Sequence, residues 1–530
     1  MSVDQTDNRV HSPLWSNAAV FAGLFVIVLL LQLRSGTYGA EFGGYPDEPA
    51  HYVTSVMVRD YLAGGKFTDP MQYASDYYNA YPKVAFGHWP PLLYAVQGVW
   101  MLIFSESRAS VLVELALTTT IAAFLLFAVA RRRFGTMAGV LSSLLLVCLP
   151  IIQAYSDEEM AESLLLVTGF AAAIYFYRYL EHNTWRNGIL FGLFCSLAIL
   201  TKGNGWALAM IPPIAIVLTR DFAVLRKPSF WIPVPIVAVL CLPWQILTLQ
   251  MAHRGWAGGD SPSMAYTVDS LWQFAVILCD LVGWAIAVLA IWGIWLRVIR
   301  PIRTRGVKPF DAVMFGLLIC IWVFHSVVPA GVEARKMIDA LPAMILFALA
   351  GGEWIAKQVA VRFPMRLGFS WSSALVAAVV GLLFTVQTFA IPREVHYGFT
   401  EAGRYIKMRP DLRNAVILVS SERDGEGLFI SELAMQDARP AHTILRANKR
   451  LSTSDWNGNV AEEFCHTPLD VMLFLKNEHV RAVVLDTFPR RVHYRHNDLI
   501  LQAIKDYPDK WKLASTFGGG KIQVYEVNPI

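Results

Sequence analysis

The stretch A-S-V-L-V-E-L-A-L-T-T-T-I-A-A-F-L-L-F-A-V-A-R-R-R, Ala109 to Arg133, carries one acidic residue, Glu114, before it ends in three arginines. A helix needs about 20 mostly apolar residues to cross a bilayer. Arginines gathered at one end mark the cytoplasmic side. Ala109–Ala130 therefore reads as a membrane span with Arg131, Arg132 and Arg133 inside.

The pattern recurs on both sides of this stretch. Leu14–Leu33 precedes it. Met137–Tyr155, Ser163–Leu180, Gly188–Leu200, Gly205–Thr219, Trp231–Gln250, Leu271–Leu296, Ala312–Pro329, Met337–Ile355 and Trp371–Ile391 follow, for about eleven spans in all. Pro90–Phe104 is apolar but short, and reads as interfacial. Basic residues cluster on alternate loops: Arg178 and Arg186; Arg220, Arg226 and Lys227; Arg297 to Lys308; Lys357 to Arg366. One topology satisfies them all, with residues 1–13 a cytoplasmic tail and residues 34–107 a long outer loop.

The composition agrees. Of 530 residues, 55% are hydrophobic and 16% charged, too apolar for a soluble protein and too long for one packed core. The net charge of +4 follows from the inner loops. Its dispersion implies no nucleic-acid partner. The first span lacks a basic leader and a clear cleavage site, so it reads as an uncleaved anchor. Cys465 stands alone after the spans, so no disulfide is expected within that region.

After Pro392 the composition changes. Ala415–Ser421, Arg481–Asp486 and Lys521–Val527 read as strands, and Leu428–Gln436 and Asp498–Tyr507 as helices. The fold expected is an α-helical polytopic membrane domain over 14–391, followed by a soluble α/β domain over 392–530 on the outer side. Gly518-Gly519-Gly520 precedes a strand, which is not the context of a phosphate-binding loop.

The residues that could carry chemistry gather at outer ends of spans. Asp47 and Glu48, the candidate catalytic pair, lie in Y-P-D-E-P-A-H-Y, with His51 and Tyr52 behind them as candidate substrate or lipid-phosphate contacts. Asp47 could cap the helix that follows, or serve as a general base toward an acceptor hydroxyl. His88 and Trp89 lie in G-H-W-P-P-L-L-Y; the tryptophan suits an interface anchor, the histidine a phosphate or metal contact. The third span ends in Q-A-Y-S-D-E-E-M-A-E-S. If that run is helical, Asp157 or Glu158 shares a face with Glu162. It reads as a solvated cluster or as a second acidic group binding sugar or a divalent cation, with His88, Asp157 and Glu158 the candidate ligands. Lys202 in L-T-K-G-N-G, and Arg335 and Lys336 in E-A-R-K-M-I-D-A-L-P, either snorkel and pair with Glu333 or hold a phosphate.

These motifs, in this order, resemble those of the GT-C glycosyltransferases, specifically the bacterial relatives of the protein O-mannosyltransferases and the aminoarabinose transferases of lipid A (glycosyltransferase family 39-like). The likeness covers about the first 350 residues. It implies a bacterial inner-membrane enzyme with a catalytic carboxylate at Asp47, a polyprenyl-phosphate-linked sugar donor and inversion at the anomeric carbon. The acceptor hydroxyl would belong to a lipid, a protein or a polysaccharide, and membrane lipids surround the spans. One feature departs from the family: relatives often carry a basic residue just before the two prolines, where this chain has Trp89. A phosphate clamp would then rest on His88, Lys202, Arg335 or Lys336. A transporter or flippase of a lipid-linked substrate is the alternative. It is disfavoured because the charges sit at span ends and no paired repeat is evident.

Overall fold

The structure, a computed structural model, describes residues 14–528 except 44, 66, 86, 256–262, 305, 363–395, 422, 455–459 and 490–493. The predicted tail, the span Trp371–Ile391 and the junction at Pro392 lie outside the described residues.

Among the described residues, eight helices are long and apolar enough to cross a membrane, or nine if the bent pair Thr136–Cys148 and Pro150–Asp157 (61°) is one span. Arg108–Phe134 is the longest of them, with the predicted arginines in its last turn. Trp185–Thr201 and Gly203–Thr219 are shorter, as the sequence suggests, and the second begins as a 3-10 helix over Gly203–Met210.

The predicted span Leu271–Leu296 is instead two helices, Met264–Val282 and Trp284–Ile294, broken at Gly283 (φ 79°, ψ 142°). Trp322 Nε1, near the end of helix Pro309–Val327, donates to Leu271 O at 2.9 Å. Arg297 instead lines a cavity with Lys308 and Asp311, at the start of that same helix. The broken pair thus runs the length of its neighbour. Its second half packs closely on Leu341–Arg362: a Cβ on Gly293 would lie 1.9 Å from Phe347 O. Small residues let membrane helices approach in this way.

The basic clusters share one end of the bundle. Arg133 lies over the Phe310 ring at 4.1 Å, Arg220 Nη2 donates to Ile302 O at 2.7 Å, and Arg297 Nη2 pairs with Glu353 at 3.0 Å.

The C-terminal region forms a five-stranded sheet, from β1 (Val416–Ser420), β2 (Thr443–Arg446), β5 (Val480–Asp486), β6 (Trp511–Phe517) and β7 (Ile522–Val527), in the order β2-β1-β5-β7-β6. A separate two-stranded ribbon pairs β3 (Ser452–Ser454) with β4 (Val460–Glu463). β1 lies parallel to β2 and β5; β7 runs antiparallel to β5 and β6. Gly518-Gly519-Gly520 is the turn between β6 and β7, at φ 56°, 66° and 86°. A side chain on Gly518 would collide with Tyr397 O, 1.9 Å away.

Side chains alternate across the sheet, and the two faces enter different cores. Leu418, Val483 and Leu485 pack with Val471, Ile500 and Trp511. Ile417, Val419, Ala482 and Val484 instead join Phe429, Leu433 and a set of first-loop residues: Phe42, Tyr52, Val56, Tyr77 and Tyr81. The C-terminal domain therefore shares a hydrophobic core with the first loop. Each large side chain buried there contributes roughly 1.5–3 kcal/mol.

Polar contacts reinforce the seam. The buried carboxylate of Glu41 accepts from the backbone N–H groups of Tyr397, Gly398 and Thr400. Arg439 Nε donates to Asp60 at 2.8 Å, and Tyr81 OH donates to Asp437 at 2.7 Å.

Candidate active site

Pro49 stands near the start of helix Glu48–Gly64, where a missing N–H costs nothing. Asp47 occupies the N-cap position, yet its side chain makes no capping bond. It turns toward Arg335, whose Nη1 lies 3.4 Å from Asp47 Oδ2. The same nitrogen lies 3.6 Å from Glu162 Oε1, and Lys202 Nζ approaches that oxygen to 2.6 Å. Arg335 Nε reaches Glu333 at 2.7 Å, and its guanidinium lies 4.1 Å from the centre of the Tyr45 ring. Tyr45 OH donates to Glu333 at 2.8 Å. Residues 45–47, 162, 202 and 333–335 thus meet in one network of charges.

Local backbone breaks aim these side chains. Helix Trp185–Thr201 ends at Lys202, which is extended (φ −156°, ψ 142°). Arg335 and Lys336 open the 3-10 turn Ala334–Ala340, where successive side chains diverge by about 120°. Arg335 takes the acidic side. Lys336 folds back onto the carbonyls of Ala330 and Gly331, with Glu333 3.8 Å away.

The second acidic motif divides. Its helix ends at Asp157 and Glu158 is extended (φ −117°, ψ 139°), so the predicted shared face with Glu162 does not form. Glu162 alone reaches the network. Asp157 is buried: Ser156 Oγ lies 3.3 Å from its carboxylate, and its carbonyl accepts from Thr37 Oγ1 and Arg108 Nη2. Glu158 is half-buried at the break.

Glu48 points away from Asp47, into the protein. It accepts from Gly43 N (2.7 Å), Glu159 N (3.1 Å) and Arg108 Nη2 (3.3 Å). Arg108 also donates to Thr37, tying both acidic motifs to the start of the loop. Arg108 was missed in the sequence, although a signal exists: it opens a span at the end opposite Arg131–Arg133. Glu159 is buried beside Glu48, and its pKa is raised by burial first and then by the Glu48 and Glu114 carboxylates.

His51 and Tyr52 do not act together, since neighbouring helix positions face about 100° apart. His51 is buried, shares a hydrogen bond with Tyr94 OH (3.0 Å) and stacks near Trp89 (4.4 Å). Burial first, then the charges of Lys202 and Arg335, lower its pKa and favour the neutral ring. Tyr52 OH donates to Glu106 O at 2.6 Å and its ring packs on Phe42, so it belongs to the seam with the C-terminal domain. His88 is half-buried, edge-on to Trp89; burial lowers its pKa while nearby Asp47 raises it.

Residues 88–246 match the sequence family described as dolichyl-phosphate-mannose-protein mannosyltransferase. The fold is similar to that of ArnT from Cupriavidus metallidurans bound to undecaprenyl phosphate: 14% identity, TM-score 0.61, covering 97% of this chain and 98% of that one. The chain thus matches the mannosyltransferase family over that stretch, and its fold is similar to that of ArnT. The archaeal oligosaccharyltransferase AglB from Archaeoglobus fulgidus, solved with an inhibitory peptide and a dolichol-phosphate, is similar over 89% of this chain and 70% of its own, at 13% identity and TM-score 0.54. No curated protein matches in sequence.

The candidate metal ligands do not fit a shared ion. His88, Asp157 and Glu158 form no group with ligand atoms within reach of one another; among the described residues only Glu41, His396 and Glu401 bring such atoms within 4.8 Å. That group lies in the seam, where Glu41 already accepts three backbone hydrogen bonds.

Proposed function

We propose that the chain transfers a sugar from a polyprenyl-phosphate-linked donor to an acceptor hydroxyl on the extracytoplasmic face, with Asp47 as general base. The observation that carries this reading is Arg335, 3.4 Å from Asp47 and 3.6 Å from Glu162, which joins two acidic motifs far apart in sequence.

The reaction is a single inverting displacement. Asp47 takes the proton of the acceptor hydroxyl. The acceptor oxygen bonds to the anomeric carbon as the bond from that carbon to the phosphate oxygen breaks. The electron pair leaves with the polyprenyl phosphate. Arg335 and Lys202 are placed to stabilise that developing charge, which preorganised cations do best where water is limited. His51, neutral and buried behind Asp47, shapes the wall of the site with Trp89.

The undecaprenyl phosphate bound to ArnT and the dolichol-phosphate bound to AglB support a lipid-linked donor here. The basic clusters at the other ends of helices Arg108–Phe134 and Glu162–His182 support the extracytoplasmic side. The acceptor is a lipid, a protein or a polysaccharide. The test is incubation of the purified protein with labelled polyprenyl-phosphate sugars and candidate acceptors. Release of free polyprenyl phosphate together with a labelled acceptor is expected; movement of intact donor across a vesicle membrane without bond cleavage would replace the transferase by a transporter.

A further inference from the structure

Lys83 lies in the turn between helices Pro70–Ala80 and Leu92–Ile103, pinned where Ala85 N donates to Thr54 Oγ1 at 2.9 Å. Its side chain enters the seam with the C-terminal domain. A Cβ built on Gly427 would lie 2.9 Å from Lys83 Cε, 3.2 Å from Nζ and 3.4 Å from Pro49 Cβ. The ammonium is therefore held between the first turn of helix Glu48–Gly64 and helix Arg423–Gln436, two residues along from Asp47.

The other cations near the site have partners. Lys202 pairs with Glu162, Arg335 with Glu333, Asp47 and Glu162, and Arg446 with Glu426 at 2.9 Å. Lys336 is held by two carbonyls. Lys83 has no ion pair within 4.0 Å among the described residues, although it feels the charges of Asp47, Asp424, Glu426 and Arg446. Burial lowers its pKa to about 8. A half-buried ammonium without a contacting carboxylate is costly to keep, and such groups concentrate at functional sites. The Gly427 position leaves room for the lysine where any other residue would press on it.

We infer that Lys83 is a further substrate-binding residue, which holds a phosphate group at the seam between the first loop and the C-terminal domain. This deepens the proposed transferase reading and rests on it. The phosphate belongs either to the polyprenyl carrier or to the acceptor. In both cases the C-terminal domain helps build the site, because Gly427 lies against the lysine and the charge of Arg446 acts on it.

The test uses the full-length protein in nanodiscs and two probes: undecaprenyl phosphate, and inorganic phosphate added to protein already saturated with undecaprenyl phosphate. Binding is followed by tryptophan fluorescence, and folding by thermal melting. Lys83→Gln should weaken one probe about tenfold to a hundredfold, the range expected for a lost hydrogen bond to a charged group. Lys83→Arg should retain most of the binding. Gly427→Ala, which leaves the charge but displaces the lysine, should weaken the same probe by less. Weakened undecaprenyl phosphate assigns the carrier phosphate, and weakened inorganic phosphate assigns an acceptor phosphate. Unchanged binding of both probes in Lys83→Gln, or in Gly427→Ala should the first variant not fold, overturns the inference. Wild-type protein that binds inorganic phosphate but not undecaprenyl phosphate would overturn the lipid-linked donor while leaving Lys83 testable; wild-type protein that binds neither overturns both.

Discussion

Lys202 Nζ lies 2.6 Å from Glu162 Oε1, and through Glu162 it meets the guanidinium of Arg335. Glu162 and Lys202 are largely buried, 4% and 17% exposed at the side chain. This contact draws the end of one short helix and the start of a long one onto the arginine that faces Asp47. The site is thus one electrostatic unit, in which Arg335 shares three carboxylates and Lys202 depends on Glu162.

Asp47→Asn removes the proposed base while keeping the size of the side chain. Turnover with a labelled donor should fall by about 10²–10⁴-fold, the usual contribution of one positioned base. Undecaprenyl phosphate binding should persist, since Arg335 and Lys202 remain. Wild-type turnover in this variant would take Asp47 out of the chemistry.

Glu162→Gln should destabilise the protein by about 3–5 kcal/mol, because Lys202 then lacks its carboxylate and Arg335 loses one of three. Lys202→Met should also be costly, by the same argument in reverse. The double variant should lose less than the sum of the single losses, since neither charge is then left alone. Denaturant or thermal melts of the four proteins measure the coupling; strict additivity would mean that the pair does not act as one.

Glu48 predicts a different signature from its neighbour Asp47. Glu48→Gln places an amide among three donors, Gly43 N, Glu159 N and Arg108. A loss of roughly 1–3 kcal/mol in stability is expected, read as a lower melting temperature. Turnover per folded molecule should fall far less than in Asp47→Asn. Equal loss of turnover in both variants, with no change in melting, would place Glu48 in the chemistry instead.

Glu432 makes the seam sensitive to pH. It is buried, accepts from Phe42 N and Thr400 Oγ1, and has its pKa pushed from 4.5 to about 7, by burial first and then by the Glu41 carboxylate. The folded protein therefore keeps a proton that the unfolded chain gives up. This contribution is full below about pH 4.5 and declines as the pH rises through about 7. Glu432→Gln cannot ionise, so its stability should fall less than wild type between pH 5 and 7.5, by up to about 1.4 kcal/mol for each pH unit crossed. Parallel melting curves across that range would show that Glu432 does not govern the seam.

Much of the site was legible because its parts are marked by cost. Asp47, Glu162, Lys202 and Arg335 are charges next to apolar spans, and such residues stand out in a sequence. Asp157 and Glu48 carry the same chemical signal, yet they face inward. Which way a side chain points depends on helix phase and on where a helix breaks, and the break at Glu158 has no local marker as strong as a proline. Arg108 and Lys83 escaped because each is a single basic residue whose surroundings are built by other segments. The strands β1, β5 and β7 were readable as short β-branched runs. β6, W-K-L-A-S-T-F, lacks that pattern and forms as the partner of β7.

The sequence by itself determined the membrane class and the order of the charged motifs, because a bilayer imposes its demand on some twenty neighbouring residues at a time. Tertiary structure alone decided that Arg335 meets Asp47 and Glu162, and that the C-terminal sheet shares a core with the first loop. Those contacts join residues more than a hundred positions apart, as from Asp47 to Arg335 and from Phe42 to Glu432. Their energy comes from burying surface and pairing charge between segments that carry no local sign of one another.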